Sequence, residues 1–148
     1  MGWEVKSRAT PGKLLAIVNR RWDMERCPGR VNLTDHAAAL QAATINECAG
    51  RSYGAHKHLP HNRGVQKAAE VWVVIKGRVG VTFYDTNSKR IASCELGAGD
   101  MVLMLDGGHA YKLNEDSCVY EFKVGPYPGR ERDKEMIDDA RTDPTVDA

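Results

Sequence analysis

The feature that most limits the fold of this 148-residue chain is a run of short strand-like segments from about residue 69 to 125, punctuated by Gly, Asp and Asn. Val71–Lys76 is apolar and β-branched, and it stops at Gly77. Arg78–Tyr84 then alternates, with Val79, Val81 and Phe83 on one face and Arg78, Gly80, Thr82 and Tyr84 on the other. Asp85-Thr86-Asn87-Ser88 is a hairpin turn into Arg90–Leu96, and Gly97-Ala98-Gly99-Asp100 turns the chain into Met101–Leu105. Asp106-Gly107-Gly108 breaks that run before His109–Leu113. Asn114-Glu115-Asp116 leads into Cys118–Val124, where Cys118, Tyr120, Phe122 and Val124 line one face. Strands about 8–12 residues apart with such punctuation predict an all-β sandwich or barrel.

The N-terminal third has fewer signals. Leu14–Arg20 reads as a strand, Pro28-Gly29 as a loop, and Leu40–Asn46 as a strand despite its alanines. Residues 1–129 are expected to form one domain, with its core at about 40–127 and an N-terminal strand at about 14–20. Residues 130–148 hold four basic and seven acidic side chains and few apolar ones, which predicts a partly disordered tail with a docked or frayed helical turn near Met136.

Charge excludes some functions. Lys+Arg is 21 against Asp+Glu 20, so the basic excess of a nucleic-acid binder is missing. The longest apolar runs are five residues, far below the roughly 20 needed to span a membrane. Leu14–Val18 is too short for a signal-peptide core, and Cys27, Cys48, Cys94 and Cys118 form no C-x-x-C pair. Reduced thiols in a cytoplasmic protein are the expectation, with two disulfides as the alternative.

Three of the five histidines crowd into Gly54-Ala55-His56-Lys57-His58-Leu59-Pro60-His61. On a strand, His56 and His58 project to the same side, and neutral imidazoles so placed chelate a divalent cation. On a loop they are two solvated side chains. His61 breaks the parity and is read as a rim residue. Glu70 opens the next apolar run, and His109 follows glycines that permit a tight bend.

The spacing around these residues carries a resemblance. Gly50, His56, His58, Glu70 and Gly77 resemble the first conserved motif of the cupin superfamily, and Gly99-Asp100 with Gly107-Gly108-His109 resembles the second. Closer still, His-Lys-His, Glu-x-Trp-x-Val, Gly-Gly-His and Tyr-Glu-Phe-Lys-x-Gly-Pro-Tyr are similar to a set of small bacterial cupins often encoded beside surface-polysaccharide genes. The chain departs from the general pattern in four places, one being that the spacing before His109 is one residue short. Eleven residues separate His58 from Glu70, Leu105 stands where proline is usual, and the motif's asparagine is out of place, with Asn114 nearby.

The resemblance implies a cupin-type double-stranded β-helix, a jelly-roll barrel that is frequently a homodimer. It also implies one divalent metal ion (Zn, Fe, Mn, Ni or Cu) held by His56, His58, Glu70 and His109. Strand parity adds lining groups. Trp72 shares a face with Glu70, and Tyr111 shares one with His109. Glu121 and Lys123 point into the barrel if the Tyr120–Phe122 face packs on a second sheet or a partner; otherwise they are a solvated pair. Tyr111, Glu121 and Lys123 are therefore the candidate catalytic groups. The implied function is a metal-dependent isomerase, lyase or oxygenase acting on a small polar molecule, sugar-derived or carboxylate-bearing. The alternatives are a non-catalytic metabolite-binding or sensing module and a metal-free epimerase-like cupin. The apolar Leu14–Val18 strand has no obvious local hairpin partner, so it is expected to pair across a homodimer or to cap the partner's sheet.

Overall fold

The computed structural model describes residues 2–55, 69–125 and 130–138. Among the described residues it is mostly β, with all strand pairs antiparallel and two short helices. The elements are β1 (Trp3–Lys6), β2 (Leu14–Asn19), α1 (Arg21–Glu25), β3 (Gly29–Asn32), β4 (Ala43–Asn46), β5 (Glu70–Lys76), β6 (Val79–Tyr84), β7 (Arg90–Leu96), β8 (Met101–Met104), β9 (Gly108–Leu113), β10 (Cys118–Lys123) and α2 (Arg130–Asp133). Five strands form an antiparallel sheet in the order β1-β2-β8-β5-β10, three form a second in the order β7-β6-β9, and β3-β4 is a separate ribbon.

Alternation explains how the two larger sheets meet. Val79, Val81 and Phe83 of β6 are all but fully buried, as their spacing of two requires. They join Ile91, Ala92 and Leu96 of β7 in one cluster with Val5, Ala16, Val18, Val74, Val102 and Met104 of the five-stranded sheet. On the other face of that sheet, Ile17, Val71 and Leu103 pack with Leu40 and Ala42. This second cluster explains why β2 is apolar along nearly its whole length: both its faces are covered. Tyr84 departs from the expected alternation and is buried, because the register shifts between Phe83 and Tyr84.

The expectation that Leu14–Val18 lacks a local hairpin partner and pairs by its edge across a dimer is overturned. β2 pairs with β1 through Trp3↔Val18 to Lys6↔Leu14, and with β8 through Ala16↔Met104 to Asn19↔Met101. Its edges are filled within the chain, so it is not free to pair across a dimer. The strand that fills the outer edge, β1, has a single buried residue, Val5, in a four-residue segment too short to show a period.

Two turns are held by specific chemistry. Gly77 has φ +86° between β5 and β6, and a Cβ there would run into the Asp116 and Ser117 backbone. Asp85, buried after β6, accepts hydrogen bonds from Ser7 Oγ (2.5 Å) and from the backbone N–H groups of Arg8 (2.7 Å), Ala9 (2.9 Å) and Thr86 (2.7 Å). It thereby ties the loop after β1 to the β6–β7 turn.

All four cysteines are free thiols. Cys48 and Cys118 are exposed, whereas burial beside the core pushes the Cys94 thiol up to about 11. The thiolate is the reactive species, so a thiol reagent should modify Cys48 and Cys118 first and Cys94 last. In denaturant without reductant all four should titrate; recovery of two or none would show disulfides. No helix among the described residues is long and apolar enough to cross a membrane.

Candidate functional site

β5 belongs to the five-stranded sheet and β9 to the three-stranded one, and their first residues meet across the sandwich. Glu70, first in β5, points inward on the same face as Trp72 and Val74. His109, second in β9, brings its Nε2 to 3.4 Å from Glu70 Oε1. Glu70 is only 5% exposed. Burial pushes its carboxyl pKa up, but the hydrogen bond and charge of His109 outweigh this, with smaller help from Trp72 and the charge of Lys134. The net displacement is downward, so the group is an anion in the folded protein.

Trp72 and Tyr111 form the wall beside this pair. Their rings stack with centroids 3.8 Å apart and planes 12° from parallel, and Tyr111 is tilted against His109 at 4.9 Å. Burial first, then the negative fields of Glu70 and Glu121, push the Tyr111 phenol well above its ordinary range. Tyr111 therefore stays protonated and can serve as a hydrogen-bond donor but not as a base. Among the described residues its buried hydroxyl has no hydrogen-bond partner. The Trp72 indole N–H also makes no bond of ordinary geometry, although it is near enough to Glu70 to help hold the carboxylate charged. A buried donor left unpaired costs about 1–3 kcal/mol, so the Tyr111 hydroxyl marks a place where a ligand with an acceptor atom would be stabilised.

The remaining expected residues divide into two groups. His56 and His58, like His61, lie outside the described residues, and among the described residues no cluster of three or more His, Cys, Asp or Glu is poised for a metal. Glu121 and Lys123 are on the strand next to β5, with Glu121 opposite Trp72 and Lys123 opposite Glu70. They share the inward-facing side with Val119, which packs against the core. Glu121 is exposed and Lys123 half-buried, so they are not the buried charge pair that an enclosed barrel would give. The reason is position: among the described residues β10 is the last strand of its sheet, and a period of two sets the face but not the cover above it.

The tail is expected to carry a docked or frayed helical turn near Met136; its helix is Arg130–Asp133, and nothing in the sequence indicates that the following residues reach the site. The segment after α2 returns to the site, where Ile137 sits against Gly108 and the charge of Lys134 reaches Glu70. A Cβ at Gly108 would collide with Ile137. The Gly-Gly preceding His109 gives freedom to bend, as its sequence implies; at Gly108 it also gives room for this chain segment.

A larger open cleft of about 630 Å³ lies elsewhere, lined by Arg20, Arg21, Trp22, Arg78, Glu95 and Asp100 among others. Each of its arginines is in an ion pair: Arg20 with Asp100 (2.8 Å), Arg78 with Glu95 (2.8 Å) and Arg21 with Glu25 (3.4 Å). It has volume without the unpaired polar groups found at Glu70–His109. No family model, no curated protein and no solved structure matches the chain.

Proposed function

We propose that the chain is a cupin-type jelly roll whose site at Glu70 and His109 holds one divalent metal ion and acts on a small polar molecule, sugar-derived or carboxylate-bearing. The fold part is supported by how the chain passes from one sheet to the other at β5–β6, β7–β8, β8–β9 and β9–β10. The observation that carries the site is the convergence of Glu70 and His109 from opposite sheets. An anionic oxygen and an imidazole nitrogen 3.4 Å apart can both reach one ion at ~2.1 Å. The donor set therefore fits a first-row divalent metal, with His56 and His58 as the further ligands that the sequence suggests.

When bound, the ion would supply Lewis acidity to a coordinated substrate oxygen. The chain's own groups have separate tasks. Glu70 remains charged, and His109 offers Nε2. Tyr111 donates its unused hydroxyl proton in a hydrogen bond to the substrate, while the stacked Trp72–Tyr111 rings exclude water from one side. Isomerisation, lyase chemistry and oxygenation are all compatible with these roles, since a fold does not select among them.

Elemental analysis of protein purified without a histidine tag tests the reading. About one equivalent of a first-row divalent metal is expected, and Glu70→Gln should lose most of it. One observation favours a second reading. Glu70 and His109 touch each other directly, as an acid–base pair working without metal would. Metal-free protein that still converts a metabolite, and loses that activity in His109→Gln, would favour this alternative over the first.

A further inference from the structure

The C-terminal part of the chain joins the two sheets at the end of the sandwich where Glu70 and His109 meet. Val124 N–H donates to Ala69 O (3.1 Å), so the chain leaves the five-stranded sheet beside Glu70. After twelve intervening residues Ile137 sits against Gly108, next to His109 in the other sheet. Glu70 and His109 are themselves in contact, so this path runs from one side of the site to the other. Lys134 lies on it just before the Ile137 contact, and its charge reaches Glu70. Within Lys134–Asp138 only Ile137 is half-buried, and the other four residues are exposed. Its seat exists because residue 108 has no side chain; a Cβ there would take the place of the Ile137 methyl. A segment fixed mainly by one apolar side chain is of the kind that lifts and reseats without disturbing the core.

We propose that Lys134–Asp138 is a strap over the mouth of the Glu70–His109 site, seated by Ile137 on Gly108, and that Lys134 binds the carboxylate of the substrate when the strap is down. This rests on the metal-binding reading above, and of the two substrate classes named there it selects the carboxylate-bearing one. A divalent ion on Glu70 leaves one positive charge in a site whose ligating histidines are neutral, and Lys134 makes it two. Glu121 and Lys123 at the rim carry one charge of each sign and do not alter that balance. A neutral sugar gains little from such a field, whereas an anion is drawn into it. A carboxylate also has one oxygen for the Lys134 ammonium and another for the hydrogen bond that the Tyr111 hydroxyl offers. With the strap seated, the Glu70 side chain is 7% exposed and that of His109 27%. Substrate therefore enters with Ile137 off Gly108, and the return of the strap brings Lys134 onto it.

The strap is tested in the full chain carrying Trp3→Phe and Trp22→Phe, which leave Trp72 as the only tryptophan. Adding Ile137→Ser should raise acrylamide quenching of Trp72 about threefold, while circular dichroism and amide exchange across β6 and β8 stay as in the parent. Equal quenching with and without Ile137→Ser overturns the strap. Lys134 is tested by calorimetry with lactate and lactamide, which match in shape and differ in charge. Lactate should bind the protein as isolated, and Lys134→Ala should weaken it about tenfold, with Lys134→Arg recovering most of the loss. Lactamide should bind more weakly than lactate and should not respond to Lys134→Ala. Lactate binding that is absent, that ignores Lys134→Ala, or that falls no more than lactamide binding overturns the assignment. Failure here and failure of the metal reading look different. Protein without metal sinks that reading while Trp72 quenching still reports on the strap. Protein with one equivalent of metal whose lactate binding ignores Lys134→Ala sinks this proposal and leaves the metal site standing.

Discussion

Chelation is expected to lower the melting temperature of the protein as isolated by about 8–16 °C. A ligand present at ~1,000 times its dissociation constant stabilises the native state by roughly 4 kcal/mol, and a domain of this size shifts by about 2–4 °C per kcal/mol. Glu70→Gln and His109→Ala should already melt low and respond little to chelator, because each removes a donor of the 3.4 Å pair. His56→Ala should behave in the same way if the sequence motif is a guide, and His61→Ala should behave like wild type. Glu70→Gln is the most informative, since it keeps the side-chain shape and removes only the charge. Acidification should act in the same direction as chelator, because an imidazole must be neutral to bind a metal. Retention of one equivalent of metal at wild-type affinity in the Glu70 and His109 variants would place the site elsewhere.

Asp85→Asn is expected to destabilise the domain by about 2–4 kcal/mol at neutral pH, roughly 4–16 °C in melting temperature. The carboxylate accepts hydrogen bonds from Ser7, Arg8 and Ala9 that hold the Ser7–Thr10 loop on the β6–β7 turn, and it also accepts the Thr86 N–H within the turn. An amide at this place would turn N–H groups toward N–H donors. Burial alone would push the Asp85 carboxyl up. The Ser7 hydroxyl and the backbone N–H groups of Ala9, Thr86 and Arg8 outweigh it and bring it from 3.8 down to about 2. Because the folded value is the lower one, this contribution is present above pH 3.8 and is lost as pH falls through about 2. The shift is equivalent to about 2–3 kcal/mol. Urea titrations at pH 7 and near pH 2.5 should therefore show the gap between wild type and Asp85→Asn narrowing with acid. A gap of equal size at both values would mean that the charge is not what the turn depends on.

Much of the β architecture was legible from residue order. Arg90–Leu96 is a strand over the expected span, and Val79, Val81 and Phe83 face the core as their alternation requires. Leu14–Asn19 is a strand one residue shorter than expected, and Ala43–Asn46 is the later part of the expected Leu40–Asn46. The elements without a sequence signal are short. β1 and β3 have four residues each and α1 five, with no buried residue in α1. Over so few positions a period cannot be distinguished from chance, and tertiary pairing supplies most of the stability.

Local sequence thus determined which residues share a face, because the pleat alternates strictly whatever lies around it. It placed Glu70 with Trp72, His109 with Tyr111, and Glu121 with Lys123. Only the tertiary structure decided which faces meet and which strands have neighbours. β2 is an interior strand because β1 and β8 flank it, and Glu121 is exposed on β10, which among the described residues pairs only with β5. Glu70 reaches His109 because two sheets stack with β5 over β9, and the C-terminal segment comes to Gly108 although 28 residues separate Gly108 from Ile137. These are contacts between residues distant along the chain. They depend on how whole layers pack, and a periodicity that spans a few residues carries no information about that.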